Sequence, residues 1–403
     1  MSTQSNAFTK SSPVVIFDTT LRDGEQSAGV AFSLADKIEI ARDLAAMRVD
    51  VIEVGFPAAS PAEHEAVAAI AREVRGVRVA ALARAVDCDV DAAGEALAGA
   101  EAPRIHVFLS ASEVHLRHQL RKDRDQVLRM TDAMVRRARR FTDDVEFSPM
   151  DATRSDIAFV SEVVRVAIRA GATTINVPDT VGWVTPVVLA ARIEELRRRV
   201  PEIEAAVISF HGHDDLGLAT ANALAAIGAG ARQVEVTVNG IGERAGNTPL
   251  EEVVMAIHVH GEAMGVHTGV DTRGIHPVSR KVAERSGIGV AANKAVVGRN
   301  AFRHASGIHQ DGVVKFRETY EVLDPAQVGN ERGSEIVLGK LSGRAGFRAR
   351  AAALGMALAD HELDAAFVRF QEIADRSREV GDDVVREIVH AALSEANAHV
   401  SVA

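Results

Sequence analysis

The chain alternates short β-branched runs with longer stretches of helical period, and it does so eight times. The candidate strands are residues 14–17, 51–54, 77–82, 104–109, 144–148, 173–177, 206–211 and 233–238. Strands separated by helices pair in parallel, because each helix carries the chain back across the sheet. Eight such units in about 250 residues are the signature of a (β/α)8 barrel. The rival architecture, an open doubly wound sheet, usually carries a glycine-rich phosphate loop after its first strand. Here strand one runs instead into Thr19-Thr20-Leu21-Arg22-Asp23-Gly24. In the first helical stretch, 34–47, Leu34, Ile38, Ala41, Leu44 and Ala45 share a stripe, with Ser33 as N-cap. Gly171 and Gly230 fall just after helices, where left-handed C-cap residues are expected. The last barrel helix spans about 250–264.

Beyond about residue 270 the pattern changes. The expected fold is therefore α/β, a TIM barrel followed by a mixed and mostly helical C-terminal subdomain. The expected boundaries are a disordered leader at 1–12, a barrel at 13–270, a linker subdomain at 271–330 and a helical subdomain at 331–403. With 403 residues and 47% hydrophobic content the chain is long enough for that division. A formal net charge of -10 argues against nucleic acid or an anionic membrane as the main partner. No apolar run reaches the ~18 residues that span a bilayer, and the polar N-terminus has no secretory h-region. The single cysteine, Cys88, excludes an intrachain disulfide and a cysteine-rich zinc site, which fits a cytoplasmic protein.

Barrel enzymes build their sites at the C-terminal ends of the strands. Arg22 and Asp23 follow strand one; His211 and His213 stand at the end of strand seven. On extended backbone, side chains two apart point the same way. Two imidazoles and a carboxylate at one mouth suit zinc, manganese, iron or a similar divalent ion; the bland alternative is a polar rim. Arg22 beside Asp23 sets a permanent cation where an alkoxide would develop, or forms an ordinary ion pair. Glu53, near the end of strand two, is placed to orient Arg22 or to form a buried structural pair.

Three long motifs in one order carry a resemblance. Asp18-Thr19-Thr20-Leu21-Arg22-Asp23-Gly24-Glu25-Gln26 resembles the first signature of the 2-isopropylmalate synthase and homocitrate synthase family, and Val238-Asn239-Gly240 through Asn247 its second. Ser306-Gly307-Ile308-His309-Gln310-Asp311-Gly312 also looks like the isopropylmalate synthases. The resemblance covers residues from about 13 to about 390. It implies an acyltransferase that condenses acetyl-CoA with a 2-oxo acid and then hydrolyses the acyl-CoA adduct. The resemblance further implies a divalent metal (Zn, Mn, Mg or Co) on Asp23, His211 and His213, with Asn247 near or on it. Arg22 would stabilise the oxyanion, and Thr180 would hold the acceptor carboxylate. Glu53, His115, Ser148 and Asn176 would belong to the acceptor pocket. His309 would assist proton removal from the acetyl methyl, reaching the partner's barrel in a homodimer, with Tyr320 close by. The bland readings are an exposed His309, a packing Tyr320 and, for His115 and His118, a solvated helix face.

Two departures stand out. Met150 occupies a place where the family usually has a glutamate, and a thioether is no base; Glu146 on the same strand, or a water, is a candidate replacement. The chain also stops soon after the helical segment, where long isopropylmalate synthases carry a regulatory domain. The motif Asn176-Val177-Pro178-Asp179-Thr180 resembles the version that takes 2-oxoisovalerate, and no basic residue near position 176 offers a partner for a second carboxylate. Homocitrate, citramalate and phosphonomethylmalate synthases remain alternatives, as do an inactive regulatory paralogue and an acyl-CoA lyase. The related hydroxymethylglutaryl-CoA lyases place a cysteine near strand eight; Cys88 lies after strand three. Leucine at sub-millimolar concentration is expected to leave turnover unchanged; clear inhibition in a steady-state assay would contradict this.

Overall fold

A computed structural model describes residues 11–400, with side chains to residue 394. The leader expected at 1–12 falls, up to residue 10, outside the described residues. Ser12–Pro13 pairs in parallel with Val266–His267. The chain divides into two compact units, the first ending at Val290 and the second starting at Ala291.

Eight parallel strands close the barrel of the first unit: β1 (Val15–Asp18), β2 (Val51–Glu53), β3 (Arg78–Arg84), β4 (Pro103–Ser110), β5 (Val145–Met150), β6 (Thr174–Asp179), β7 (Val207–Gly212) and β8 (Gln233–Val236). Each lies within about two residues of its expected place. Closure comes from β1 against β8, Val15 opposite Gln233 and Asp18 opposite Val236. The outer helices are α1 (Leu34–Ala46), α2 (Pro61–Glu73), α3 (Asp87–Ala96), α4 (Arg124–Ala138), α5 (Ile157–Ala170), α6 (Pro186–Arg199), α7 (Ala219–Gly228) and α8 (Leu250–Met264). Ser33 caps α1 as expected, accepting from the Asp36 amide while the Asp36 carboxylate accepts from the Ser33 amide. Gly171 ends α5 at φ +113°, a conformation L side chains avoid.

The buried face of α1 differs from the stripe read in the sequence. Ile40, Ala41 and Leu44 are buried together with Lys37, whereas Leu34 is exposed. The cause is electrostatic. The Lys37 ammonium lies 2.6 Å from Glu25 and 2.8 Å from Glu63, so a charged side chain is drawn inward and the helix rotates with it. Helix α9 (Ile275–Ser286) also belongs to the first unit: Lys281 pairs with Glu39 of α1 at 2.7 Å, and Ser279 accepts from Asn239 in the loop after β8.

The barrel interior departs from the usual layers of branched aliphatics. At its lower end Phe17, Val51 and Ala80 do cluster. Beside it, Arg104 donates to Glu146 (2.8 Å) and to Gln233 (2.7 Å), and Gln233 donates to Glu146 and Ser209. Polar inward positions on β4, β5 and β8 thus begin at the first or second residue of the strand and continue to the mouth.

The second unit contains helix α10 (Gly307–Lys315) and three helices, α11 (Arg344–Ala353), α12 (Asp360–Ala374) and α13 (Asp382–Val400). Phe347, Leu363, Phe370, Val385 and Val389 form its core, with the Phe347 and Phe370 rings 5.0 Å apart. Gly346 lets α11 approach α10: a Cβ there would stand 2.0 Å from the Gln310 side-chain oxygen.

Replacing Ser33 by Ala removes the hydroxyl arm of the capping box and leaves the amide arm. The expected result is a loss of about 1 kcal/mol in denaturant unfolding; an unchanged midpoint would show that α1 is held by its packing alone.

Candidate active site

The loop after β1 is built from its own hydroxyls. Asp18 accepts from the Thr20 amide (2.9 Å) and hydroxyl (3.0 Å), and the Thr20 oxygen accepts from the Val238 amide (2.8 Å) after β8. The seam of the barrel is thereby stitched, and Arg22 and Asp23 are set over the mouth. On the far side, the loop after β8 returns to β7: the Asp214 amide bonds Gly246, and Asn247 bridges His213. Gly246 is at φ +97°, and a Cβ would stand 2.0 Å from the Gly240 carbonyl. Only glycine lets that loop close.

At the mouth His211 Nε2 lies 3.0 Å from His213 Nε2 and 3.4 Å from Asp23 Oδ2, and His213 Nε2 lies 3.9 Å from the same oxygen. All three residues are buried. Burial, and then the neighbouring His211, push the His213 imidazole down to about 3, so its ring is neutral. Burial opposes the charge on Asp23, but Arg22 and the two histidines outweigh it and hold its carboxyl below the ordinary range. Two nitrogen donors and an ionised oxygen with separations of 3.0–3.9 Å match ligand bonds of about 2.0–2.2 Å meeting at one point. His213 Nδ1 and both polar atoms of the Asn247 amide are buried without a partner. This donor set fits a divalent ion.

A chain of hydrogen bonds runs from this triad round the barrel. Arg22 lies 3.2 Å from Asp23 and donates to Glu53 at 2.6 Å, which also accepts from Thr19. Glu53 lies 2.8 Å from His106 Nδ1, and His106 Nε2 lies 2.7 Å from the Ser148 hydroxyl. Asn176 donates to Ser148 (2.9 Å) and to Glu235 (2.7 Å), and Glu235 meets His211 Nδ1 at 2.7 Å. Burial disfavours charge on His106, yet Glu53 prevails and raises the ring to about 9. Arg22 is held charged in the same way, by Asp23 and Glu53 against burial.

These residues surround a cavity of about 260 Å3. Arg22, Asp23, Ser148, Asn176, Thr180, His211 and His213 line it, each a residue expected from the sequence. Leu82, Phe108, Met150 and Pro178 add an apolar wall. Glu53 is not in the lining but lies behind Arg22. His115 is not in the lining either; its ring bonds the Ser110 hydroxyl at 2.8 Å. Asn247 stands behind His213. Glu146 does not take the place left by Met150, since its carboxylate is held by Arg104 and Gln233 below the cavity. In the second unit the His309 ring stacks on Tyr320, centroids 4.0 Å apart.

Sequence reasoning missed Gln26, His106, Glu235, Glu243 and Arg244 in the lining. Gln26, Glu243 and Arg244 lie inside motifs already singled out. Arg244 grips Asp215 through two bonds and donates to the Thr180 carbonyl. His106 and Glu235 had a signal of another kind. Buried parallel strands read as apolar runs, and both sit on strands with a second inward polar residue two positions earlier, Arg104 and Gln233.

A closed parallel barrel with two histidines and a carboxylate at its mouth has the fold and the donor set that a metal-assisted barrel enzyme needs. Residues 13–282 match the family model described as HMGL-like, and residues 296–378 match the homocitrate synthase post-HMGL domain-like model. The 2-isopropylmalate synthase of Pyrococcus furiosus is 53% identical over 389 residues, covering 96% of this chain and 78% of that protein. The 2-isopropylmalate synthase of Syntrophus aciditrophicus is 52% identical, covering 94% and 73%. Among solved structures, the hydroxymethylglutaryl-CoA lyase of Pseudomonas aeruginosa is similar at 27% identity and a TM-score of 0.59, covering 70% of this chain and 95% of that one. The chain belongs to the HMGL-like family, within its 2-isopropylmalate synthase and homocitrate synthase group of acyltransferases.

Replacing His213 by Ala should abolish binding of a divalent ion, measured as metal content after stripping and reloading with Zn2+ or Mn2+. Unchanged content would remove His213 from the site.

Proposed function

We propose that this chain catalyses the Claisen-type condensation of acetyl-CoA with 2-oxoisovalerate, giving 2-isopropylmalate and CoA. The observation that carries the reading is the two-sided cavity: Arg22, Asp23, His211 and His213 on one side, Leu82, Phe108, Met150 and Pro178 on the other. The charged side suits the carboxylate and carbonyl of a 2-oxo acid, and the apolar side suits a branched aliphatic tail. The 2-isopropylmalate synthases at 50–53% identity support the same reading.

A divalent ion on Asp23, His211 and His213, with Asn247 near it, supplies Lewis acidity toward the oxygens of the oxo acid. Thr180 accepts from the Asp151 amide at 2.9 Å, which leaves its own proton to donate to the acceptor carboxylate. Arg22, charged and fixed by Glu53, faces the oxygen on which negative charge grows as the new carbon–carbon bond forms. His309, stacked on Tyr320, takes the proton from the acetyl methyl. We assign it to the barrel of a partner subunit in a homodimer. Water then cleaves the thioester, releasing CoA and making the sequence irreversible. Ser148 and Asn176 hold the floor of the acceptor pocket, and His115 supports the loop after β4.

The chain has one cysteine, Cys88, on α3 and exposed. The loop after β8 therefore holds none, which counts against the cleavage run by the lyases of similar fold. No helix among the described residues is long and apolar enough to cross a membrane, and we assign the protein to the cytoplasm.

An assay of CoA release from acetyl-CoA against a panel of 2-oxo acids tests the reading. The fastest turnover is expected with 2-oxoisovalerate. A preference for 2-oxoglutarate, pyruvate or phosphonopyruvate would reassign the acceptor, and turnover with none would overturn the synthase.

A further inference from the structure

Glu235 is buried on β8, and its two oxygens face two different groups. Oε2 meets His211 Nδ1 at 2.7 Å and Oε1 accepts from Asn176 Nδ2 at 2.7 Å. A carboxylate has no proton to give, so the hydrogen on this His211 contact resides on Nδ1. That leaves Nε2 as the donor atom toward Asp23 and His213, the atom a metal needs. The same carboxylate takes one of the two Asn176 protons, and Ser148 takes the other at 2.9 Å. The Asn176 amide is therefore locked with its nitrogen toward the network. Its oxygen is buried without a partner, so these two bonds alone fix the orientation of that side chain.

We propose that Glu235 is a positioning residue that couples the two halves of the site: it fixes His211 as a metal ligand and Asn176 as a wall of the acceptor pocket. The inference rests on the metal reading of Asp23, His211 and His213. It requires both carboxylate oxygens, because both partners are donors. A glutamine offers one oxygen and one NH2, so whichever way it turns, a donor faces a donor. Loss of such an outer partner lowers metal affinity by about 10- to 100-fold.

The test uses the full chain, stripped of metal and titrated with Zn2+ by calorimetry, alongside steady-state kinetics with 2-oxoisovalerate. Glu235→Gln and Glu235→Ala are expected to weaken Zn2+ by about 10- to 100-fold and to raise KM for the oxo acid. Asn176→Ala is expected to raise KM while leaving Zn2+ affinity unchanged. Nitrogen-15 shifts of the Zn2+-loaded protein should show His211 protonated at Nδ1 and metal-bound at Nε2 in the wild type, and loss of that single form in Glu235→Ala. A purely structural role would lower the melting temperature without moving the tautomer or the Zn2+ constant. Wild-type Zn2+ affinity in both Glu235 variants would overturn the proposal and leave the metal site standing. Failure of the wild type to bind Zn2+ would overturn both. The isosteric Glu235→Gln carries the test if the alanine variant does not fold.

Discussion

The site depends on one closed circuit of buried hydrogen bonds and charge contacts. It passes from Asp23 through Arg22, Glu53, His106, Ser148, Asn176 and Glu235 to His211, and returns to Asp23. Its members come from β2, β4, β5, β6, β7, β8 and the loop after β1. Charges placed inside a barrel are costly unless each finds a partner, and removing one partner of a buried pair costs about 3–5 kcal/mol. Here nearly every donor in the circuit meets an acceptor, so the polar interior holds a single arrangement. Of the unpartnered atoms, His213 Nδ1 and the Asn247 amide lie beside the triad, and the Asn176 oxygen lies on the circuit itself.

The lower ion pair of Arg104 with Glu146 supports this arrangement from beneath. It brings a second cation into the barrel without exposing it to the cavity. Lys37 does similar work outside, tying Glu25 in the loop after β1 to Glu63 at the start of α2. Glu25 in turn accepts from the Phe32 amide. The loop that carries Arg22 and Asp23 is thus held at both ends, by threonine hydroxyls at the seam and by a buried ammonium below.

Much of this was legible in the sequence. The eight strands and the Ser33 cap followed from period and local chemistry, and the three metal-type residues followed from asking which side chains stand at strand ends. What was not legible depends on packing across the barrel. Lys37 reads as a solvated position until Glu25 and Glu63, 12 and 26 residues away, are seen to converge on it. His106 and Glu235 looked like ordinary strand residues, because neither stands in a recognisable motif. The stand-in suggested for the missing glutamate, Glu146, shares the strand and the inward face of Met150 but sits two pleats lower, where Arg104 claims it. Pleat alternation predicts the face of a strand residue and not its depth.

The apolar wall of the cavity has a different standing from the rest. Leu82, Phe108, Met150 and Pro178 touch the cavity yet take no part in the side-chain circuit. A change at Glu53 or Glu235 disturbs neighbours on several strands at once, so such positions must change together or not at all. A change at the wall alters only shape. A shift in what the enzyme accepts therefore has an open path at these four positions, while the chemistry that acts on it stays fixed.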